Sequence, residues 1–314
     1  MNRRLFLQSL AASAAAAAQM DPLGAAPRFR LGIINDEVSP DLETSLRFMA
    51  EHGLRQVELR VVNGKNVMKL TEAEASQAAS LVRKMKFRVS NLATPIYKVD
   101  IPGHKTQEGA GDSFGAEFPF EEQKNLLKKA ISLARIFDTK VLRIFTFWRI
   151  PKPEEVFDDI VRHLGELIPI ARQGGVILGV ENEHACNIGT GKEAGRLLKA
   201  LNDPVIQLVW DPGNAFLLGE TPYPNGYNHV RGGRIVHIHI KDALARKGPG
   251  VNTAQGSAIW APVGKGKIDY VGQFAALRRD SYRNTISLET HYYPGGDRLQ
   301  GTRESLAGLL RLVK

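Results

Sequence analysis

The sequence predicts an α/β protein built as a single-domain (β/α)8 barrel, and three observations carry that prediction. Four short apolar runs each close on a residue able to hold a divalent cation: Val176-Ile177-Leu178-Gly179-Val180 before Glu181, Ile206-Gln207-Leu208-Val209-Trp210 before Asp211, Ile235-Val236-His237-Ile238 before His239, and Thr285-Ile286-Ser287-Leu288 before Glu289. Runs of about five residues rich in Val, Ile and Leu read as parallel strands buried on both faces. Helix-length segments such as 191–201 and 268–280 separate them, and that alternation gives βα units. The length of 314 residues also suits one barrel, since such barrels run to about 250 residues as one domain.

The remaining elements follow in order. Residues 30–34 make the first strand. Ser39-Pro40-Asp41-Leu42-Glu43 then opens a helix, with Ser39 as N-cap, Pro40 in the first turn and acidic residues at the positive end of the dipole. Leu42, Leu46 and Met49 keep helical spacing, and Gly53 closes the helix. Residues 56–60 are the second strand, and Thr71-Glu72-Ala73-Glu74 reads as a capping box for a helix running to about 86. The third strand, 87–92, leads into 93–118, a Gly- and Pro-containing stretch without period. Segments of that length in a compact domain are generally functional or disordered, and here the expectation is a lid over the site. A helix over 120–138, a strand over 140–145, a helix over 153–173 ended by Gly174-Gly175, and a last helix over 303–313 complete the pattern.

Residues 1–19 stand outside the fold. Asn2-Arg3-Arg4-Leu5-Phe6-Leu7-Gln8 sets two arginines before Phe-Leu, an Ala-rich run follows, and the stretch ends in small residues near Ala16-Ala17-Ala18. That reads as a twin-arginine export signal, followed by a linker over 20–29 and the barrel over 30–314, and it places the protein in the periplasm or otherwise outside the cytosol. The single cysteine, Cys186, excludes an intramolecular disulfide framework, and a small buried filler is its plainest role. The formal net charge is +9, or +7 once Arg3 and Arg4 are removed. Its Lys and Arg are spread along the chain without aromatic interleaving, which disfavours nucleic acid as a partner. No other stretch approaches eighteen apolar residues, so the mature chain is expected to need no membrane. A homo-oligomer stays open.

In a closed barrel the strand C-termini open on one face, so Glu181, Asp211, His239 and Glu289 should converge there. Three carboxylates and one imidazole are a hard, oxygen-dominated set, suited to one Mn²⁺, Mg²⁺ or Co²⁺ more than to Zn²⁺. Such a cation polarises a carbonyl, and a carboxylate in reach can then remove the neighbouring proton.

With Val57-Glu58-Leu59-Arg60, Gly179-Val180-Glu181-Asn182, Trp210-Asp211-Pro212-Gly213-Asn214, His237-Ile238-His239-Ile240-Lys241-Asp242, Gly264-Lys265-Gly266-Lys267-Ile268-Asp269 and Leu288-Glu289 in view, the chain resembles the xylose-isomerase-like TIM-barrel superfamily, the sugar phosphate isomerase/epimerase group. The resemblance covers essentially all of the mature chain. It implies that Glu181, Asp211, His239 and Glu289 bind the metal and that Glu181 and Glu289 exchange a proton with a carbohydrate, one on each face. Two departures stand out. Asn214 occupies the place where epimerases and the abasic-site endonucleases usually carry histidine. The additional histidine ligands of those endonucleases have no equivalents on strands two and three, where Glu58, Arg60 and Asn91 stand.

Secondary candidates for substrate contact are His184 and Asn214 beside the metal, Lys241 just past its strand, Arg143 and Trp260. Arg143, in mid-strand, should meet a carboxylate, Glu58 or Glu181, because an unpaired buried charge is costly. Trp148 is a further aromatic that could stack on a sugar. His237 shares the side of its strand with His239 one layer deeper, where a hydrogen-bonded structural role is expected. The leading functional expectation is a metal-dependent sugar or polyol isomerase or epimerase. The alternative is a lyase or dehydratase that expels a β-substituent from the same enolate, and a third reading is an exported sugar-binding protein without catalysis.

Overall fold

The computed structural model describes residues 29–106, 117–232, 234–246 and 258–314. The export-signal reading of 1–19 and most of the linker therefore lie outside the described residues, as does the centre of the expected lid, 107–116. Eight parallel strands close into a barrel in sequential order: β1 (Arg30–Ile34), β2 (Gln56–Leu59), β3 (Arg88–Ile96), β4 (Val141–Ile144), β5 (Ile177–Glu181), β6 (Ile206–Trp210), β7 (Ile235–Ile240) and β8 (Thr285–Leu288). Around them run α1 (Leu42–Glu51), α2 (Glu72–Lys84), α3 (Gln123–Phe137), α4 (Phe157–Gly174), α5 (Gly191–Leu201), α6 (Tyr270–Arg279) and α7 (Arg298–Leu312). The β6–β7 crossover uses only short pieces, including the helices Pro212–Leu217 and Tyr227–Val230. A two-stranded hairpin, Asp242–Arg246 with Ala258–Ala261, rises directly from the end of β7.

Local chemistry explains the ends of these elements. Thr71 caps α2 in the expected box: its hydroxyl accepts the Glu74 N–H at 3.2 Å and the Glu74 carboxylate accepts the Thr71 N–H at 2.9 Å. The cap of α1 differs from expectation. Asp41, not Ser39, accepts the N–H of Thr44 at 2.8 Å, while the Ser39 hydroxyl takes the Asp41 N–H. A carboxylate is a charged acceptor at the positive helix end, so it wins the capping position. Strand β3 also runs four residues past its expected end. The β3–β4 register shifts between Leu92 and Ile96, and that irregularity absorbs Pro95, which has no N–H for the ladder. The first four residues of the expected lid are thus barrel strand. Helix α7 begins earlier than its periodicity suggests because the Asp297 side chain accepts the Gln300 N–H at 2.9 Å.

Apolar side chains fill the layer between strands and helices, with Ile33, Val57, Leu59, Leu178, Leu208, Ile238, Ile240 and Leu288 all fully or almost fully buried. The inside of the barrel is polar instead. Glu58, Asn91, Arg143, His237, His239 and Ser287 are buried there and bond to one another or to neighbouring strands. Alternation along β7 produces both surfaces, histidines inward and isoleucines outward. The β8–β7 register pairs Ser287 with His239 and Leu288 with Ile240, which brings Glu289 level with the upper end of β7.

Candidate active site

The four expected ligands meet at the C-terminal mouth of the barrel. Glu181 is the last residue of β5, His239 lies near the end of β7, and Asp211 and Glu289 directly follow β6 and β8. All are buried, and one candidate ligand atom from each lies within 4.8 Å of the others. His239 Nδ1 faces the group, 3.1 Å from Glu181 Oε1, 3.7 Å from Glu289 Oε2 and 3.9 Å from Asp211 Oδ2. Asp211 is doubly placed: its Oδ1 accepts the Asn214 N–H at 2.9 Å, and its backbone exchanges two hydrogen bonds with the Asn182 side chain, each of 2.8 Å. Asn182 therefore locks the end of β5 to the end of β6.

Cations surround the carboxylates. Lys241 Nζ, fully buried, stands 2.7 Å from Asp211 Oδ2 and 2.8 Å from Glu289 Oε2. Its stem passes over Gly213, where a Cβ would approach the Lys241 Cγ to 2.5 Å, so that position needs glycine. Arg60 is also buried and binds Glu289 Oε1 at 2.8 Å, Glu37 at 2.6 Å and Asp36 at 3.1 Å. Arg143 meets Glu181 Oε2 at 3.3 Å, one of the two partners expected for it. Lys241 is too enclosed for a solvated surface lysine.

Charge and burial set the protonation tendencies. Burial opposes ionisation of Glu289, yet Lys241, His291, His239 and Arg60 outweigh it and hold its carboxyl well below the usual range. Burial pushes Asp211 up to about 6, helped by the nearby Glu289 and Glu181 charges and opposed by Lys241 and His239. Burial also disfavours imidazolium at His239, but Glu58 and Glu181 reverse this and raise it. Among the described residues, two buried oxygens face a cation without a well-aligned hydrogen bond: Glu181 Oε2, 3.3 Å from Arg143, and Asp211 Oδ2, 2.7 Å from Lys241. Three buried carboxylates and one imidazole whose ligand atoms converge in this way fit a hard divalent cation. Glu181, Asp211, His239 and Glu289 are the residues that would hold it.

The expected substrate contacts divide. Asn214 donates to Glu181 Oε1 at 3.3 Å and accepts from His184 Nδ1 at 3.0 Å, while His184 Nε2 is buried without a hydrogen-bond partner among the described residues. Trp260 sits half-buried on the hairpin with its ring 5.1 Å from that of His291, whose Nε2 is 3.8 Å from Glu289. Trp148 packs with Phe145 and Cys186 under the Lys98 ammonium, 5.4 Å from the indole ring. Cys186 is fully buried, with its thiol pushed up by burial, as a filler would be. His237 stays one layer deeper, bonded to Glu58 and Ser287 at 2.9 Å. Sequence reasoning gave no role to Arg60, Asn182 or His291. Arg60 and Asn182 entered only as members of the motifs that carry the family resemblance.

Comparisons with known proteins place this geometry in context. The chain matches an inosose dehydratase of Bacillus velezensis at 26% identity over 149 residues, 45% of this chain and 49% of the relative, and one of Clostridium tetani at 22% over the same length. It thus spans about half the length of the curated relatives it matches. Among solved structures, the IOLI protein with a bound zinc atom superposes with a TM-score of 0.71 at 16% identity, covering 90% of this chain and 98% of that one. The corresponding values are 0.67, 17%, 90% and 100% for a 3-keto-D-glucoside 4-epimerase from E. coli, and 0.66, 15%, 91% and 94% for an L-ribulose 3-epimerase. At such identities these likenesses show the fold. A sequence profile matches residues 46–312, most of the chain, and by that match and its closed barrel the protein belongs to the xylose isomerase-like TIM barrel family.

Proposed function

We propose that the protein is a divalent-cation-dependent enzyme that moves a proton beside the carbonyl of a sugar or polyol, with isomerisation or epimerisation as the outcome. One observation carries this reading: Glu181 and Glu289, both buried, lie 3.1 and 3.7 Å from the same His239 Nδ1, so two carboxylates flank one centre. A cation held there would polarise the substrate carbonyl and make the neighbouring C–H acidic. Glu181, with its unsatisfied Oε2, is the base that takes this proton. Glu289, gripped by Arg60 and Lys241, is held ionised and suits binding and orientation first. In this reading His184 and Asn214 order substrate hydroxyls, and Trp260, beside His291, covers one sugar face. Solved structures of similar fold hold zinc in one case and magnesium in another, and the three-carboxylate donor set favours Mn²⁺, Mg²⁺ or Co²⁺.

A second reading, β-elimination from a keto-sugar or inosose, is favoured by Lys241. Its buried ammonium beside the centre is a ready donor for a departing oxygen, and the curated relatives are inosose dehydratases. Incubation with Mn²⁺ and a panel of ketoses, inososes and 3-keto-glycosides, read by mass spectrometry and chiral chromatography, separates the two. Unchanged mass with altered stereochemistry supports epimerisation, and loss of water or aglycone supports elimination. Binding of a sugar with no solvent deuterium entering it would leave only the binding-protein reading. Export by residues 1–19 belongs to the same proposal, and retention in the cytosol of an Arg3→Lys/Arg4→Lys double variant is its expected signature.

A further inference from the structure

Beneath the ligand set lies a second buried cluster that the proposed reaction does not use. The Glu58 carboxylate comes from β2 and reaches across the barrel to β7, where it lies 2.9 Å from His237 Nε2 and 3.0 Å from His239 Nε2; Asn91 Nδ2 donates to it at 3.0 Å. No Arg or Lys pairs with Glu58 among the described residues, so its charge is met by N–H donors alone. An ionised carboxylate only accepts, so both Nε2 atoms must carry hydrogen. In His239 the proton on Nε2 leaves Nδ1 as the atom that can give a lone pair, and Nδ1 is the atom facing Glu181, Asp211 and Glu289.

We propose that Glu58 is a positioning residue for the cation site: by taking the Nε2–H of His239 it fixes the ring orientation and the tautomer in which Nδ1 is the ligand atom. The proposal rests on the reading of Glu181, Asp211, His239 and Glu289 as a cation site. A carboxylate on the far side of a ligating imidazole also makes the ring a stronger donor, and loss of such a partner typically costs about 10–100-fold in metal affinity. Both Nε2 atoms lie 2.9 to 3.0 Å from Glu58, hydrogen-bond distance, which fits one carboxylate accepting from two imidazoles; a second cation at Glu58, His237 and His239 is the competing outcome.

The test needs no substrate. Long-range ¹H–¹⁵N spectra of the Zn²⁺-loaded wild-type protein should show His239 coordinated through Nδ1 with a retained, strongly deshielded proton on Nε2, and metal analysis should give one ion per chain. Glu58→Gln keeps the volume and should raise the dissociation constants for Mn²⁺ and Zn²⁺ about 10–100-fold while moving the Nε2 proton upfield. Glu58→Asp, which keeps the charge, should recover part of that affinity. Coordination through Nε2, two ions per chain, or a Glu58→Gln protein with wild-type affinity and an unmoved proton would each overturn the proposal. If the wild-type protein takes up no metal, the cation-site reading falls. The assignment of Glu58 then falls with it, whereas metal uptake with an unchanged affinity in Glu58→Gln overturns the assignment alone.

Discussion

Strands β5 to β8 and strands β1 to β4 meet the same centre with different chemistry. The second half supplies the candidate ligands, Glu181, Asp211, His239 and Glu289, each at or just past a strand end. The first half supplies what holds them: Glu58 under His239, Arg60 on Glu289 and Arg143 on Glu181. Lys241 is the exception, a cation contributed from the ligand half itself. Carboxylates gathered away from water need opposite charges to stay ionised, and a barrel lets strands on its other side provide them. On the proposed reading the difference is one of task, chemistry on one side and support on the other.

That division can be broken by mutation, beginning with the largest expected effect. Glu181→Gln keeps the fold, and turnover on whichever substrate is identified should fall by about 10²–10⁴-fold, the range for a lost general base. A variant with wild-type turnover would move the chemistry away from the ligand half. Arg60→Met should act on the other term, leaving Asp36, Glu37 and Glu289 buried without their shared cation. Removal of one partner from a buried ionic group costs about 3–5 kcal/mol, read as a lower midpoint in chemical denaturation. Lost turnover at unchanged stability would erase the distinction between the halves.

A smaller effect tests the charge balance at Asp211. Cation binding requires its ionised form, and the folded metal-free protein raises its carboxyl from 3.8 to about 6. Mn²⁺ affinity should therefore fall by at least about tenfold per pH unit below 6, and because the raised His239 imidazole must also lose its proton to ligate, affinity should keep rising above 6, measured by titration calorimetry. In the metal-free protein the same shift makes the folded state bind the extra proton, so this group lowers stability as pH rises from about 4 to about 6. The smallest effect sharpens the contrast with the outer layer. Thr71→Ala removes the cap of α2 and should cost about 1 kcal/mol without changing metal affinity.

Much of this was legible in the amino-acid order, for a local reason. Each ligand ends its own apolar run, and eight parallel strands must open their C-termini on one face, so strand ends alone predicted the convergence of Glu181, Asp211, His239 and Glu289. The Thr71 capping box was equally local. Arg143 was legible by cost, since a mid-strand cation in an apolar run demands a carboxylate. The N-cap of α1 and the end of β3 were not, because a stronger competing acceptor and a register irregularity around Pro95 decided them.

By itself the sequence determined the barrel, its period and the four residues at the mouth, since those depend on hydrophobic patterning within single βα units. Only the tertiary structure decided the support: Arg60 reaches Glu289 across 229 positions, and Glu58 reaches His237 across 179. Closure of the barrel brings β2 within hydrogen-bond distance of β7 and β8, and no spacing along the chain encodes which buried charge will answer another.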